Sequence, residues 1–202
     1  MLDLDEFQAT PSLKQLQDFF SDSTLLKIAG LSGVAARLRL DGTQLRLDRV
    51  DANSYVASVL SDFLRRYLLD AQVSFTFETV MSSRDKVDFL RVARDKGFRV
   101  YLYFVATSDP EINISRVHNR VLNGGHAVPE EKIRERYYRS LSLLLEAISC
   151  SNRAYIFDNS LGLGKRSFVA EITDGSEVTV IESEVPDWFS RHVFDQGTHP
   201  PQ

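Results

Sequence analysis

Apolar residues recur along this chain with two periods, and the switches between them mark out its elements. Ser12 to Phe20 and Ser23 to Ile28 carry them at helical spacing, and Gly30 stands where the second helix needs a cap. Ala36-Arg37-Leu38-Arg39-Leu40 and Thr43-Gln44-Leu45-Arg46-Leu47 then alternate apolar with polar residues around Asp41-Gly42, which predicts a β-hairpin inserted over residues 31–52. Asn53 or Ser54 opens a long helix to about Asp70, with Val56, Val59, Leu60, Phe63, Leu64, Tyr67 and Leu68 on its buried side.

From there the pattern reads strand, helix, strand, helix, helix, strand. The segments are Val73 to Phe77, Ser83 to Lys96, Arg99 to Ala106, Pro110 to Leu122, Pro129 to Ile148 and Ala154 to Phe157. Alternation of helices with β-rich, largely apolar strands predicts an α/β fold in three layers, a parallel sheet with helices on its faces. A second hairpin about Asp174-Gly175 and a last helix with Trp188 and Phe189 close the chain. No repeat, low-complexity tract or long linker interrupts it, so the 202 residues are expected to form one domain.

Composition narrows the function. With 43% hydrophobic residues the chain can bury a substantial core, and a formal net charge of -4 removes the basic excess that nucleic-acid binding requires. A lone Cys150 permits no internal disulfide, the acidic start Met1-Leu2-Asp3-Leu4-Asp5-Glu6 has no export signal, and no apolar run approaches a membrane span. A cytoplasmic protein without membrane contact is the expectation. His118, His126, His192 and His199 lack metal-site spacing and Cys150 pairs with none of them, so no metal held by the protein is expected.

The most informative stretch is Gly124 to Ser140. Arg116 and Arg120 lie one turn apart on the helix before it, Pro129 opens a second helix with Glu130 and Glu131 in its first turn, and Arg136 and Arg139 follow three apart. Arginines brought from both sides of a glycine hinge suit a lid that closes over a phosphoryl group. The same residues also fit a solvated helix pair in which Glu130, Glu131 and Glu135 neutralise the arginines. After the first strand come Glu78, Thr79 and Ser82, where a carboxylate can accept substrate hydroxyls or a serine can simply cap the next helix. Asp158-Asn159-Ser160 ends the later strand, at a ligand-lining position or a plain turn.

Several runs together resemble the zeta-toxin-like P-loop kinases: Ser74 to Ser82, Gly97 to Phe104, Asp109 to Asn113, Arg116 to Val121, the Gly124-Gly125-His126 segment and Arg153 to Ser160. The resemblance covers the chain from about Asn53 onward and reaches, more faintly, Leu4 to Phe7 and Val185 to Phe189. It implies transfer of a phosphoryl group from ATP, with Mg2+, to a hydroxyl of a small molecule such as a nucleotide sugar; the founding toxins act on UDP-N-acetylglucosamine. On this likeness Arg120, Arg136 and Arg139 are the expected catalytic cations and Glu78, Thr79 and Ser82 the substrate contacts. Arg116, His126, Lys132, Asp158 and Asn159 are expected on the nucleotide side, although His126 can equally fix the lid loop.

One departure stands against these matches. Such kinases open with G-x-x-x-x-G-K-[ST] and a second strand ending in an acidic catalytic base, and this chain presents neither. Gly30 begins such a run, but Ala35-Ala36 stand where Gly-Lys is required; Gly164-Lys165 supplies Gly-Lys, but Asn159 and Arg166 hold the other positions. The expectation is therefore a kinase-like chain that begins after its nucleotide-binding loop and first strand and is inactive alone. The rival is a non-enzymatic remnant, a binding module or the partner of an antitoxin-like protein.

Overall fold

The computed structural model describes residues 1–47, 50, 53–162 and 165–195. Asp48, Arg49, Asp51 and Ala52 of the expected insertion, Gly164 of the Gly-Lys pair, and His199 lie outside the described residues. Packing divides the chain into two compact units, Met1–Phe77 and Glu78–Gln202.

In the first unit β1 (Leu2–Asp3), β2 (Arg39–Asp41) and β3 (Gln44–Arg46) form an antiparallel sheet in the order β1-β3-β2. Asp41 pairs with Gln44, leaving Gly42 and Thr43 as the turn, and Gly42 sits at φ 59°, a conformation glycine adopts without strain. The hairpin is shorter than expected because Ala36 and Arg37 belong to a helical turn, α3 (Val34–Arg37), whose Val34 and Ala35 are buried. Helices α1 (Leu13–Asp22) and α2 (Thr24–Ile28) start at Ser12 and Ser23, whose hydroxyls accept from Gln15 N and Leu26 N. Asn53 Oδ1 accepts from Tyr55 N at 3.0 Å and Val56 N at 3.1 Å to start α4 (Ser54–Asp70). The helix buries Val56, Val59, Leu60, Phe63, Leu64 and Leu68 against Leu4, Leu16, Phe20, Leu26 and Leu45.

The expected strand Val73 to Phe77 belongs to neither sheet. It keeps the alternating burial of a strand, but Val73 and Phe75 turn their apolar side onto the first core, and the Arg65 guanidinium lies 5.0 Å from the centre of the Phe77 ring.

The second unit contains α5 (Arg84–Asp95), β4 (Tyr101–Ala106), α6 (Pro110–Leu122), α7 (Glu130–Ser142), α8 (Leu144–Ser149), β5 (Arg153–Asp158), β6 (Ser167–Thr173), β7 (Glu177–Val180) and α9 (Asp187–Phe189), the last continuing into a π turn. The sheet runs β4-β5-β6-β7 and is mixed. β4 and β5 are parallel, joined through α6, α7 and α8, whereas β6 and β7 add antiparallel strands, their turn at Asp174 and Gly175 being far too short for a crossover. The single long helix expected from Pro129 to Ile148 is broken at Leu143 (φ -92°, ψ -5°), which re-aims α8 so that Leu144, Ala147 and Ile148 enter the core. Phe104, Ala106, Ala154 and Ile156 line the sheet face that meets these helices.

Leu16 and Ile156 are both 0% exposed, one in each core. Leu16→Ala and Ile156→Ala should each cost about 2–5 kcal/mol, read from the midpoint shift in a urea titration.

Candidate active site

The polar residues of the second unit gather beyond the carboxyl ends of the parallel strands, where open α/β sheets place their ligands. After β4, the Thr107 hydroxyl donates to Asp109 O at 3.1 Å and accepts from Asn113 Nδ2 at 3.0 Å, while Asp109 caps α6 through Glu111 N at 2.8 Å. After β5, Asp158 is buried and its carboxylate accepts from the Trp188 indole at 2.6 Å and from Ser160 N at 2.7 Å. Ser160 Oγ in turn accepts from Ser108 N at 2.8 Å, tying the two strand ends together. Asp158 thus holds the strand-end loop to α9, and Asn159 offers its carbonyl to Arg116 Nη2 at 2.5 Å. Trp188 is the member of this network that sequence reasoning did not connect with the site; the signal was an indole, whose one donor needs a partner when it is buried.

The α6–α7 hairpin has a crowded hinge. Gly124 sits at φ 85°, and Gly125 N donates to Arg120 O at 2.8 Å. A Cβ at Gly125 would stand 2.6 Å from Arg120 Cγ and 2.8 Å from its carbonyl oxygen, so only glycine fits. This close approach lays Arg120 along the turn, where Nη2 donates to His126 O at 2.8 Å. His126 contributes its backbone there, and its side chain is exposed.

On α7, Ile133, Tyr137 and Leu141 make the buried stripe. At 100° per residue, Lys132, Arg136 and Arg139 fall together on one flank of that stripe and Arg134 on the other. Arg139 reaches Glu135 at 3.3 Å, an exposed pair of little energetic weight. Arg136 is half-buried, and among the described residues it has no carboxylate partner. Arg134 is committed elsewhere: it grips Glu111 with two bonds, of 2.7 and 3.1 Å, and touches Glu130 at 3.3 Å. Those bonds to Glu111 hold its guanidinium above the usual arginine range. His118 also meets Glu130 at 3.3 Å. Of the acids expected to neutralise Arg116, Arg120, Arg136 and Arg139, Glu135 alone meets one of them among the described residues; Glu130 turns to Arg134 and His118, and Glu111, on the other helix, grips Arg134. Tyr137 anchors α7 to the sheet by donating to Thr107 O at 2.8 Å.

Glu78 and Thr79 are exposed and Ser82 is half-buried. Thr79 Oγ1 accepts from Met81 N at 3.2 Å, and Met81 takes the left-handed conformation (φ 53°) with its side chain in the core. A non-glycine residue held there is sustained by that burial. Ser83 occupies the start of α5, but its hydroxyl bonds the Asp85 carboxylate and leaves the backbone uncapped. Among the described residues no three His, Cys, Asp or Glu side chains converge as metal ligands. No described helix is long and apolar enough to cross a membrane.

A mixed sheet flanked by helices and carrying this arginine-bearing hairpin is consistent with a P-loop-kinase-like fold. The profile of the zeta toxin family matches residues 45–159, more than half of the chain, and the protein belongs to that family. An uncharacterized protein of Haemophilus influenzae is 28% identical over 74 residues, a stretch that covers 37% of this chain and 53% of the relative. The chain thus spans about half the length of that relative. No solved structure matches it.

Two outcomes follow from the geometry. Gly125→Ala should expel Arg120 from the turn and lower stability by roughly 1–3 kcal/mol, measured by urea unfolding. Burial pushes the Tyr137 hydroxyl from 10.0 up to about 12. The folded state therefore favours the neutral phenol: its contribution is complete below the unfolded value near 10 and is lost as pH rises toward about 12. Tyr137→Phe should flatten the fall in stability over that alkaline window, as followed by denaturant midpoints at stepped pH.

Proposed function

We propose that this chain carries the lid and acceptor side of a phosphotransferase that moves the γ-phosphoryl group of ATP to a hydroxyl of a small molecule, a nucleotide sugar being the class that fits best. The observation that carries this reading is the α7 flank of Lys132, Arg136 and Arg139 beside the Arg120 hinge, in a chain of the zeta toxin family. Planar guanidinium groups pair with phosphate oxygens in two places at once and stabilise charge that develops on a transferring phosphoryl group. In this reading Arg120, Arg136 and Arg139 take the phosphoryl charge, and Glu78, Thr79 and Ser82 orient the acceptor. Arg116, His126, Lys132, Asp158 and Asn159 lie on the nucleotide side, with Asp158 and Asn159 acting through the loop they brace. The donor set fits an anionic phosphate; no carboxylate cluster among the described residues fits Mg2+, so no residue is assigned to that ion. The lone Cys150 supports a reducing, cytoplasmic setting.

A second reading is favoured by one specific observation. No G-x-x-x-x-G-K-[ST] run occurs among the 202 residues, and that loop supplies most of the contacts to nucleotide phosphates. A non-enzymatic binding role, including contact with an antitoxin-like protein, accounts for a chain that keeps its arginines without that loop.

ATP consumption with UDP-N-acetylglucosamine and magnesium separates the two. The purified chain alone should show no steady turnover, yet should bind pyrophosphate weakly, with affinity falling from low to moderate salt as screening takes hold. Arg136→Ala and Arg139→Ala should each weaken that binding several-fold in a calorimetric titration. Turnover that follows the protein through purification would reject the inactive reading, and unchanged affinity in both variants would place the anion elsewhere.

A further inference from the structure

A relay of bonds runs from the terminal helix to a guanidinium on α6. The Trp188 indole donates to Asp158 Oδ2 at 2.6 Å, and the other oxygen of that carboxylate accepts from Ser160 N at 2.7 Å. Ser160 N and Asn159 O belong to one planar trans peptide, so a bond that fixes the N–H also fixes the carbonyl, which points the opposite way. That carbonyl accepts from Arg116 Nη2 at 2.5 Å. Two further bonds hold the loop on either side of the peptide: Asn159 N donates to Ala106 O and Ser108 N donates to Ser160 Oγ, both at 2.8 Å.

The start of the relay is rigid. Trp188 is 5% exposed and Asp158 8%, and the indole packs on Phe104 and Phe189, with ring centres 6.3 and 5.9 Å away. Removing the indole N–H takes the donor from Asp158 Oδ2, and a buried carboxylate oxygen without a donor draws its side chain toward water. Ser160 N and the peptide it belongs to would follow. The end of the relay is adaptable by comparison: Arg116 is half-buried on α6, and its long side chain has many rotamers. The bond to Asn159 O spends one of its five N–H donors and restrains the plane of the others.

We propose that Trp188 is a positioning residue, which through Asp158 and the Asn159–Ser160 peptide sets the orientation of the Arg116 guanidinium presented to an anionic phosphate. The ligand in this statement rests on the phosphotransfer reading, in which Arg116 stands on the nucleotide side; the relay itself does not. Trp188 reaches the loop from beyond residues 45–159, so the family match ends before it.

Nitrogen-15 spectra of the arginine side chains of the intact chain test the relay. In the unaltered chain Arg116, assigned by Arg116→Lys, should show hindered rotation about its Nε–Cζ bond, with separate Nη signals. Trp188→Phe keeps an aromatic ring without a donor and should average those signals. Phe189→Leu disturbs the same terminal helix but removes no bond of the relay, and it should leave Arg116 hindered. Should Trp188→Phe unfold, replacing the chain's single tryptophan biosynthetically with benzothienylalanine, which keeps the indole shape and lacks the N–H, makes the same comparison. Pyrophosphate titrations give the consequence for the ligand. Trp188→Phe should weaken binding roughly two- to tenfold, the loss expected when the anion must itself order one long side chain. Added to Arg116→Ala it should cause no further loss, whereas added to Arg139→Ala it should cost as much as in the unaltered chain. An Arg116 that rotates freely in the unaltered chain, that stays hindered without the indole N–H, or that is released equally by Phe189→Leu would overturn the relay. Affinity unchanged by Trp188→Phe, or weakened equally with and without Arg116, would overturn its role toward phosphate. If the unaltered chain binds no pyrophosphate, the phosphotransfer reading fails and the spectra still decide the relay.

Discussion

The parallel pairing of β4 with β5 is the constraint on which the candidate site depends. Asn152 sets it: its backbone donates to Val100 O at 2.9 Å, its side-chain oxygen accepts from Val100 N at 2.8 Å, and its own carbonyl accepts from Asp174 N at 2.9 Å. One residue thereby locks the starts of two strands and the turn that leads to β7. With the register fixed there, the far ends of both strands emerge side by side: Ala106 pairs with Asp158, and Thr107 follows one residue beyond. The cap of α6, the anchor of Tyr137 and the brace of Trp188 all attach to those ends. Slipping β4 by one residue against β5 would turn Phe104 out of the core and break the bond between Ser108 N and Ser160 Oγ that ties the strand ends.

Much of this architecture was legible in the sequence, for identifiable reasons. Elements with strong local signals were read nearly to the residue: Asn53 caps α4 and Pro110 opens α6, while the hairpin expected to turn at Asp41-Gly42 turns one residue later, at Gly42-Thr43. What failed depended on partners distant in sequence. Val73 to Phe77 has the composition of a strand but joins neither sheet, because alternation along a segment records burial alone. The break at Leu143 was hidden because Leu141, Leu143, Leu144 and Leu145 are apolar in a run that has no single helical face. At the site, residue types and elements were legible but pairings were not. Charge spacing singled out the α7 arginines, yet it could not say that Arg134 would cross to Glu111, 23 residues earlier, or that Asp158 would meet an indole 30 residues later.

Membership of the zeta toxin family and the geometry of the hairpin supply different kinds of information. The family match runs from residue 45 to 159 and so ends at the strand-end loop that Trp188 braces from beyond it. The local chemistry is that of a cationic surface set on a rigid sheet edge. Its cations differ in availability: Arg116 and Arg120 are spent on backbone carbonyls, Arg139 is held by an exposed partner that water and salt readily replace, and Arg136 has no acid partner among the described residues. An anion arriving at this face would therefore meet a graded set of partners, with Arg136 and Arg139 the least costly to recruit.

The Arg134–Glu111 fork has a mechanical consequence. Because both carboxylate oxygens are gripped by one planar group, a swing of α7 that left α6 behind would break two bonds at once, whereas a swing that carried both helices would break neither. Gly125 adds to this stiffness, since the turn between the helices is packed against Arg120 and has little slack to absorb a change of angle. A change of angle between α6 and α7 is therefore opposed in two places, by the fork and by the packed turn, while the Tyr137–Thr107 bond ties α7 to the end of β4.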